Sequence, residues 1–473
     1  MIKYTIIFIN KVPITCHTGV IRMGLLFWYL LALAIIIIWT VVVSLIWGKW
    51  KEPLETRNIF CMGPFVMWKT QRGKEFIERI ATTREKIVLF YGRLSVAITG
   101  ASMVTMTSLL ALSAYLVVER AKDIEIEPHM LLGLPGLNPM IPLWYGILGL
   151  VVAMVVHEFS HGLLTILAKV KLVSLGIMFF ILPMGAFVEP DEEAIKKVEK
   201  KKRVRMYSSG PASNIIVAAV FSLVFSMILM SSVQPLALGA GVRSVGDGTA
   251  ADLAGLEPGM IIVSFNGTVI VNQTTFNQAI ALASANQTVE ILVHDSETGG
   301  NIRLMANLTD KYNATGRESD IGKGYLGINS MTVSTGYFKP IGESRTLREA
   351  AASISLYMTL PLQRLSPVDG VLTDFYAIEG FWSFLPNGVF WVLANACYWI
   401  FWLNLMVGLS NALPAVPLDG GYIFKDWLDS FLGRMKIFSD VEKRTKTVDW
   451  IGLVVAFSIL FMILWQVIGP RIF

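Results

Sequence analysis

The chain has 473 residues, 54% hydrophobic and 16% charged, with a mean hydropathy of +0.58, whereas soluble domains carry roughly a quarter charged residues. This composition excludes an ordinary soluble enzyme and predicts a polytopic α-helical membrane protein, with the lipid bilayer as its first partner. A formal charge of +5 spread over loops leaves no nucleic-acid footprint, and Cys16, Cys61 and Cys397, far apart and without a CxxC pair, give neither a disulfide framework nor a cysteine metal site.

Apolar runs near the ~20 residues needed to cross a bilayer occur at 24–47, 94–118, 144–168, 209–232, 389–413 and 449–469, predicting about six spans. The first is too long for a signal peptide and lacks a small-residue cleavage site, so it is read as an anchor. Residues 1–23 precede it without a clear role, and Met23 is an alternative start. The loops 48–93, "KKVEKKKRVR" at 196–205 and 425–446 are basic, which assigns them to the cytoplasm and puts both termini, the loop 119–143 and a polar insert from about 234 to 340 outside. The insert carries five Asn-x-Ser/Thr sequons, at Asn266, Asn272, Asn286, Asn307 and Asn313, on the side that charge had selected. Trp47, Trp50, Trp144, Trp399, Trp402 and Trp450 fall near predicted span ends and are read as headgroup anchors. The stretch 341–365 is open between an interfacial helix and a solvated linker.

Within the third span, "VVHEFSHGLL" sets His157, Glu158 and His161 in an otherwise apolar helix. An unpaired His or Glu in hydrocarbon is costly, so such a cluster points to function. Histidines at i and i+4 project from one helical face and can each give a ring nitrogen to Zn²⁺, while Glu158 is placed to act as general base. A catalytic zinc site takes three protein ligands. The candidate for the third is Asp419 in "NALPAVPLDGGYIF", where Pro414 and Pro417 break the helix and turn the backbone inward. On pattern alone, Asp419-Gly420-Gly421 also reads as a plain turn at a helix end. His17, His129 and His294 have no ligand-spaced neighbours.

His157-Glu158-x-x-His161, together with Asn411-x-x-Pro414-x-x-Pro417-Leu418-Asp419-Gly420-Gly421, resembles the two signatures of the site-2 protease family of intramembrane zinc metalloproteases, over residues from about 144 to 470. The charge-based topology runs both motif-bearing spans inward and so places His157, His161 and Asp419 near the cytoplasmic side; the resemblance implies proteolysis within the membrane, one Zn²⁺ per chain on His157, His161 and Asp419, Glu158 as base and single-span membrane proteins as substrates. Leu172 to Pro190, interrupted by Gly176, Pro183 and Gly185, is similar to the family's membrane-dipping β-hairpin; a partly buried linker is the alternative. "SSGPASN" matches the family's Gly-Pro-x-x-Asn pattern at the start of the fourth span, with Pro211 suited to a helix N1 position. By the same resemblance Asn214, Asn411 and Gly185 are candidate substrate contacts. "GTAADLAGLEPGMIIVSFNGTVI" reads as strand, helix and hairpin and is similar to a small α/β PDZ-like domain, a fold that binds chains by strand addition.

The expected organisation is an N-terminal region 1–143, a first catalytic half 144–233, an extracytoplasmic PDZ-like domain 234–340, an interfacial linker 341–388 and a second catalytic half 389–473. A catalytically dead binding relative is disfavoured by the intact Glu158, and a metal transporter by the lack of internal repeats or a polar pathway.

Overall fold

The computed structural model describes residues 18–119, 133, 135–136, 138–180, 182–296, 298–435 and 440–472. The readings for Cys16, His17 and His129, and for most of the loop 119–143, lie outside the described residues.

Helix α1 (Thr18–Thr56) leads to strands β1 (Ile59–Met62) and β2 (Phe65–Thr70), helices α2 (Lys74–Thr83), α3 (Glu85–Glu119) and α4 (Leu143–Leu167), strands β3 (Leu172–Phe180) and β4 (Leu182–Pro190), and helices α5 (Glu192–Lys197) and α6 (Lys200–Leu223). Then come β5 (Val233–Pro235), β6 (Ala240–Val245), α7 (Ala250–Leu253), β7 (Ile261–Phe265), β8 (Thr268–Val269), α8 (Gln273–Ala281), β9 (Thr288–His294), β10 (Asn301–Asn307), β11 (Thr309–Asp310), α9 (Lys311–Thr315), β12 (Gly324–Tyr325) and β13 (Ile328–Thr332). The chain closes with α10 (Pro340–Glu343), α11 (Leu347–Thr359), β14 (Tyr376–Ile378), α12 (Asn387–Asn411), α13 (Asp419–Arg434) and α14 (Val441–Ile472). Among the described residues, six helical stretches are long and apolar enough to span a membrane: Leu33–Thr56, Glu85–Val117, Leu143–Leu167, Lys200–Ser232, Asn387–Asn411 and Val441–Ile472. The chain is a polytopic helical membrane protein.

Three of these stretches start well before their apolar runs, at Glu85, Lys200 and Val441. Hydropathy marks hydrocarbon, whereas helix hydrogen bonding continues through the lysine-rich turns, residues with good helix propensity. The segment 196–205, read as a basic loop, is therefore largely the first turns of α6, and Pro211 lies inside that helix and not at N1. Trp399 and Trp402 also differ from expectation. Trp399 is fully buried, and the Trp402 indole donates to Met358 O at 3.3 Å, so neither is a headgroup anchor.

The chain folds as two compact units. The helical unit comprises Ile37–Phe225, Tyr357–Arg364 and Leu393–Phe473. In it Ile77, Ala81, Val88, Leu163, Leu164, Leu172 and Met206 form one core joining α2, α3, α4, β3 and α6, and Met103, Val204 and Ile423 join α3, α6 and α13. Its sheet runs β1-β2-β3-β4, antiparallel throughout, with Trp68 opposite Ile177 and Gly176 opposite Phe187. The basic segment 48–93, read as a loop, thus supplies two strands and α2 to this unit. Lys69 on β2 reaches over β3 to Glu189 on β4, Nζ to Oε2 at 2.7 Å, and Ser174 on β3 bonds the same carboxylate.

The sheet unit spans Ser226–Leu356 and Leu365–Val392, and the described residues up to Ile36 are grouped with it. Five strands in the order β10-β9-β7-β6-β13, with β8 beside β7, pack α7 and α8 over a core that includes Val242, Ile262, Phe265, Phe276 and Ile291. Ser264 and Phe265 pair with Val269 and Thr268 around the Asn266-Gly267 turn, whose positive φ angles of 48° and 78° suit a two-residue hairpin. Asn272 caps α8, its side chain accepting from Thr275 N at 2.8 Å. β14 pairs with β5, Tyr376 opposite Pro235, so part of the segment read as a linker is a strand of this unit.

Candidate metal centre

α4 carries Leu, Val, Ile, Ala and Met over most of its length, and His157, His161 and Glu158 are its two histidines and its one carboxylate. The two imidazoles lie one turn apart on one face. α12 ends at Asn411, and the chain reverses through Leu413–Pro417, with Ala415 N donating to Leu413 O and Leu418 N to Ala415 O, both at 2.8 Å. α13 then starts at Asp419, where the helix dipole favours a carboxylate. This tight return needs the glycine pair: a Cβ on Gly420 would strike Ala412 O, and one on Gly421 would lie 2.5 Å from Ala415 C.

Asp419 Oδ2 comes to rest 3.0 Å from His157 Nε2 and 3.2 Å from His161 Nε2, and the two Nε2 atoms are 3.1 Å apart. His157 is buried and the other two are half-buried. Ligands about 2.0–2.1 Å from a tetrahedral zinc subtend edges of roughly 3.3–3.4 Å, so this triangle fits that ion within a few tenths of an ångström. Helix α6 backs the triangle at Gly210, where a Cβ would lie 2.6 Å from His157 Nε2 and collide with His161 Nε2. Only glycine lets the rings approach so near.

The other ring nitrogens are also held. His161 Nδ1 is 2.8 Å from Met206 O, so it carries the proton and donates it. His157 Nδ1 is 3.1 Å from the side-chain amide of Asn214, which is fully buried. Glu158 Oε2 accepts from Val188 N, on β4, at 2.9 Å. Gly185, on the same strand, is buried, and a Cβ there would meet Met154 Sδ of α4 at 3.4 Å. The Asn411 amide donates to Val407 O within its own helix at 3.1 Å.

Residues 145–458, two thirds of the chain, match the family model for Peptidase family M50. The chain belongs to peptidase family M50. It is 25% identical over 337 residues to an uncharacterized protein of Methanocaldococcus jannaschii, covering 69% of this chain and 70% of that one. A Rhizobium meliloti protein provisionally named a zinc metalloprotease is 23% identical over 354 residues, covering 64% and 91%. A provisionally named Arabidopsis thaliana membrane metalloprotease, ARASP2, chloroplastic, is 24% identical over 311 residues, covering 61% and 68%. As an M50 peptidase this chain is a membrane metalloprotease with zinc as cofactor, and the His157–His161–Asp419 triangle fits that ion.

In this M50 peptidase a set of ion pairs invisible to motif reading ties α13, which begins at Asp419, to its neighbours. Arg203 of α6 grips Asp426 with both arms, Nε to Oδ2 at 2.7 Å, and Asp426 is buried. Lys200 and Arg444 converge on Asp429, Arg444 Nε to Oδ1 at 2.7 Å. Burial would raise the Asp429 pKa, but these two cations outweigh it and hold the carboxyl below its ordinary range. Its stabilising contribution is complete above the ordinary carboxylate pKa of about 3.9 and is lost as pH falls through the lowered value. The rings of Tyr207 and Tyr422 stack between the same helices, 4.9 Å apart. Arg203→Ala leaves Asp426 buried and unpaired, and is expected to cost about 3–5 kcal/mol. Unfolding of the purified protein in detergent measures it, and the double variant Arg203→Met, Asp426→Leu should recover most of the loss. An equal loss in the double variant would show that packing, and not the charge pair, holds α13.

Proposed function

We propose that this chain is an intramembrane zinc endopeptidase that cleaves the transmembrane segments of single-span membrane proteins. The observation that carries the reading is the triangle of His157, His161 and Asp419 with Glu158 one residue along, in a chain of an M50 peptidase family. His157, His161 and Asp419 hold the ion, and Glu158 takes a proton from the attacking water and returns it to the leaving amine nitrogen as the C–N bond breaks. Bound zinc supplies Lewis-acid polarisation of the scissile carbonyl and a water nucleophile at neutral pH.

A substrate helix hides its carbonyls in its own hydrogen bonds, so it must unwind before attack. The β3–β4 hairpin is the element suited to hold the unwound segment. β2 covers β3, which leaves β4 as the sheet edge nearer the catalytic helix, and main-chain pairing along an edge is the general mode of peptide capture. Dipping of this sheet into the bilayer is supported by Trp39, inside the first span, whose indole donates to Pro64 O at the β1–β2 turn at 2.7 Å. Asn411 and Gly185 are retained as substrate contacts in this reading.

The basic residues of 48–93, 196–205 and 425–446 favour a cytoplasmic-side zinc site and an extracytoplasmic sheet unit. That unit is read as a PDZ-like filter that excludes substrates still carrying bulky external domains. Strand addition of a substrate tail to it is the docking alternative.

Glu158→Gln is expected to keep about one zinc per chain, as measured by metal analysis, and to lower cleavage of co-expressed single-span proteins by about 10²–10⁴-fold; full activity would remove the base. Ala240 and Thr332 are register partners, so about 5 Å separates them and residues between them can be replaced by a short glycine linker. The shortened enzyme should keep its zinc and gain activity on substrates with bulky external domains. Loss of all cleavage with zinc and expression intact would make the unit a docking site. For topology, translation into microsomes should attach glycans at Asn266, Asn286, Asn307 and Asn313, all exposed, and spare Asn272, whose side chain caps α8. A chain left wholly unglycosylated while Lys200 is labelled from the lumen would invert the orientation.

A further inference from the structure

Asn214 has no surface for a substrate to touch, being fully buried on α6. Its amide nitrogen sits 3.1 Å from His157 Nδ1, and its amide oxygen is buried without a partner among the described residues. The oxygen and nitrogen of an amide are assigned by their partners and not by their shape. Here the chemistry of the ring decides. His157 offers Nε2 to the triangle it forms with His161 and Asp419, so the lone pair belongs on Nε2 and the proton on Nδ1. A protonated Nδ1 needs an acceptor, and turning the amide by half a rotation presents Oδ1 to it.

The neighbouring ring has this arrangement already, with Nδ1 of His161 facing Met206 O, a group that can only accept. Met206, Gly210 and Asn214 are spaced four apart on one stripe of α6, opposite His161 and His157 on α4. Gly210 supplies the gap through which the rings reach the helix. The two ends of the stripe thus offer one acceptor to each imidazole.

We propose that Asn214 is a positioning residue: its side-chain carbonyl accepts the Nδ1–H of His157, fixes the tautomer that presents Nε2, and so sets the affinity for zinc. This rests on the reading of His157 as a zinc ligand. Asn214 acts through the imidazole and touches neither metal nor substrate.

The test compares the full-length native protein with Asn214→Leu, of similar size but without an acceptor, and Asn214→Asp, which keeps one. Zinc affinity is measured by competition with a chelator. Asn214→Leu is expected to bind zinc about 10–100-fold more weakly, the usual cost of losing an outer-shell partner, and Asn214→Asp to match or exceed the native protein. In zinc-free samples ¹⁵N shifts of the His157 ring should report the Nδ1–H tautomer in the native and Asp proteins and a mixture in the Leu protein, a change that a packing role would not produce. Equal zinc affinity and the same tautomer in Asn214→Leu would overturn the proposal. Should the Leu protein not fold, zinc loss in a folded Asn214→Asp protein would do so. A native protein that binds no zinc would strike the reading of the triangle instead, which keeps the two failures apart.

Discussion

Two imidazoles one turn apart in an apolar helix bring four ring nitrogens into apolar surroundings, and each must find a partner there because an unmatched polar group in hydrocarbon is costly. Much of the helical unit follows from meeting that demand. α6 offers Met206 O and Asn214 to the two Nδ1 atoms, and Gly210 clears the space between them. The two Nε2 atoms meet Asp419, which reaches them only because α12 stops at Asn411 and the chain returns through a seven-residue turn stabilised by its own backbone bonds. The paired charges of Arg203, Lys200 and Arg444 then fix α13 where the polar cluster needs it. Polar groups that are costly one at a time become tolerable as a closed set, since leaving any of them unmatched would cost more than a hydrogen bond ordinarily returns.

Glu158 meets the same demand differently. One carboxylate oxygen is held by a main-chain donor, Val188 N, on the strand that also runs beside Met154. The base and the hairpin are therefore mechanically joined, and the position of one constrains the other.

Residues whose chemistry admits few substitutes were legible in the sequence. His157, Glu158 and His161 carry side chains that an apolar helix has no structural need for at that spacing, Asp419 stood out from a plain helix-end turn only once it was paired with them, and the six apolar runs follow hydropathy directly. Residues that act through their backbone were not legible. Met206 serves by its carbonyl and Val188 by its N–H, and neither function leaves a mark on residue identity. The β1–β2 hairpin escaped notice because its twelve residues lie in a strongly basic segment, although Gly63-Pro64 was a turn signal. Trp399 and Trp402 were misplaced because aromatic residues serve equally as headgroup anchors and as core, and only packing separates the two uses. Pro211 was misread because a proline at N1 and one inside a helix look alike until the helix start is known; here Thr99 and Tyr91 of α3 bond the nearby carbonyls of Ser208 and Ser209.

The sheet order β1-β2-β3-β4 joins the leading segment to the catalytic half. The family match begins at residue 145, yet half of the strands in that sheet come from residues before it. A chain trimmed to its catalytic spans would keep every residue of the metal centre and still carry a β3 stripped of β2, with a row of unpaired amides and carbonyls laid bare. Such a raw edge is what sheets use to stick to one another. β1 and β2 thus satisfy from within the chain an edge of the hairpin that would otherwise be open to other strands.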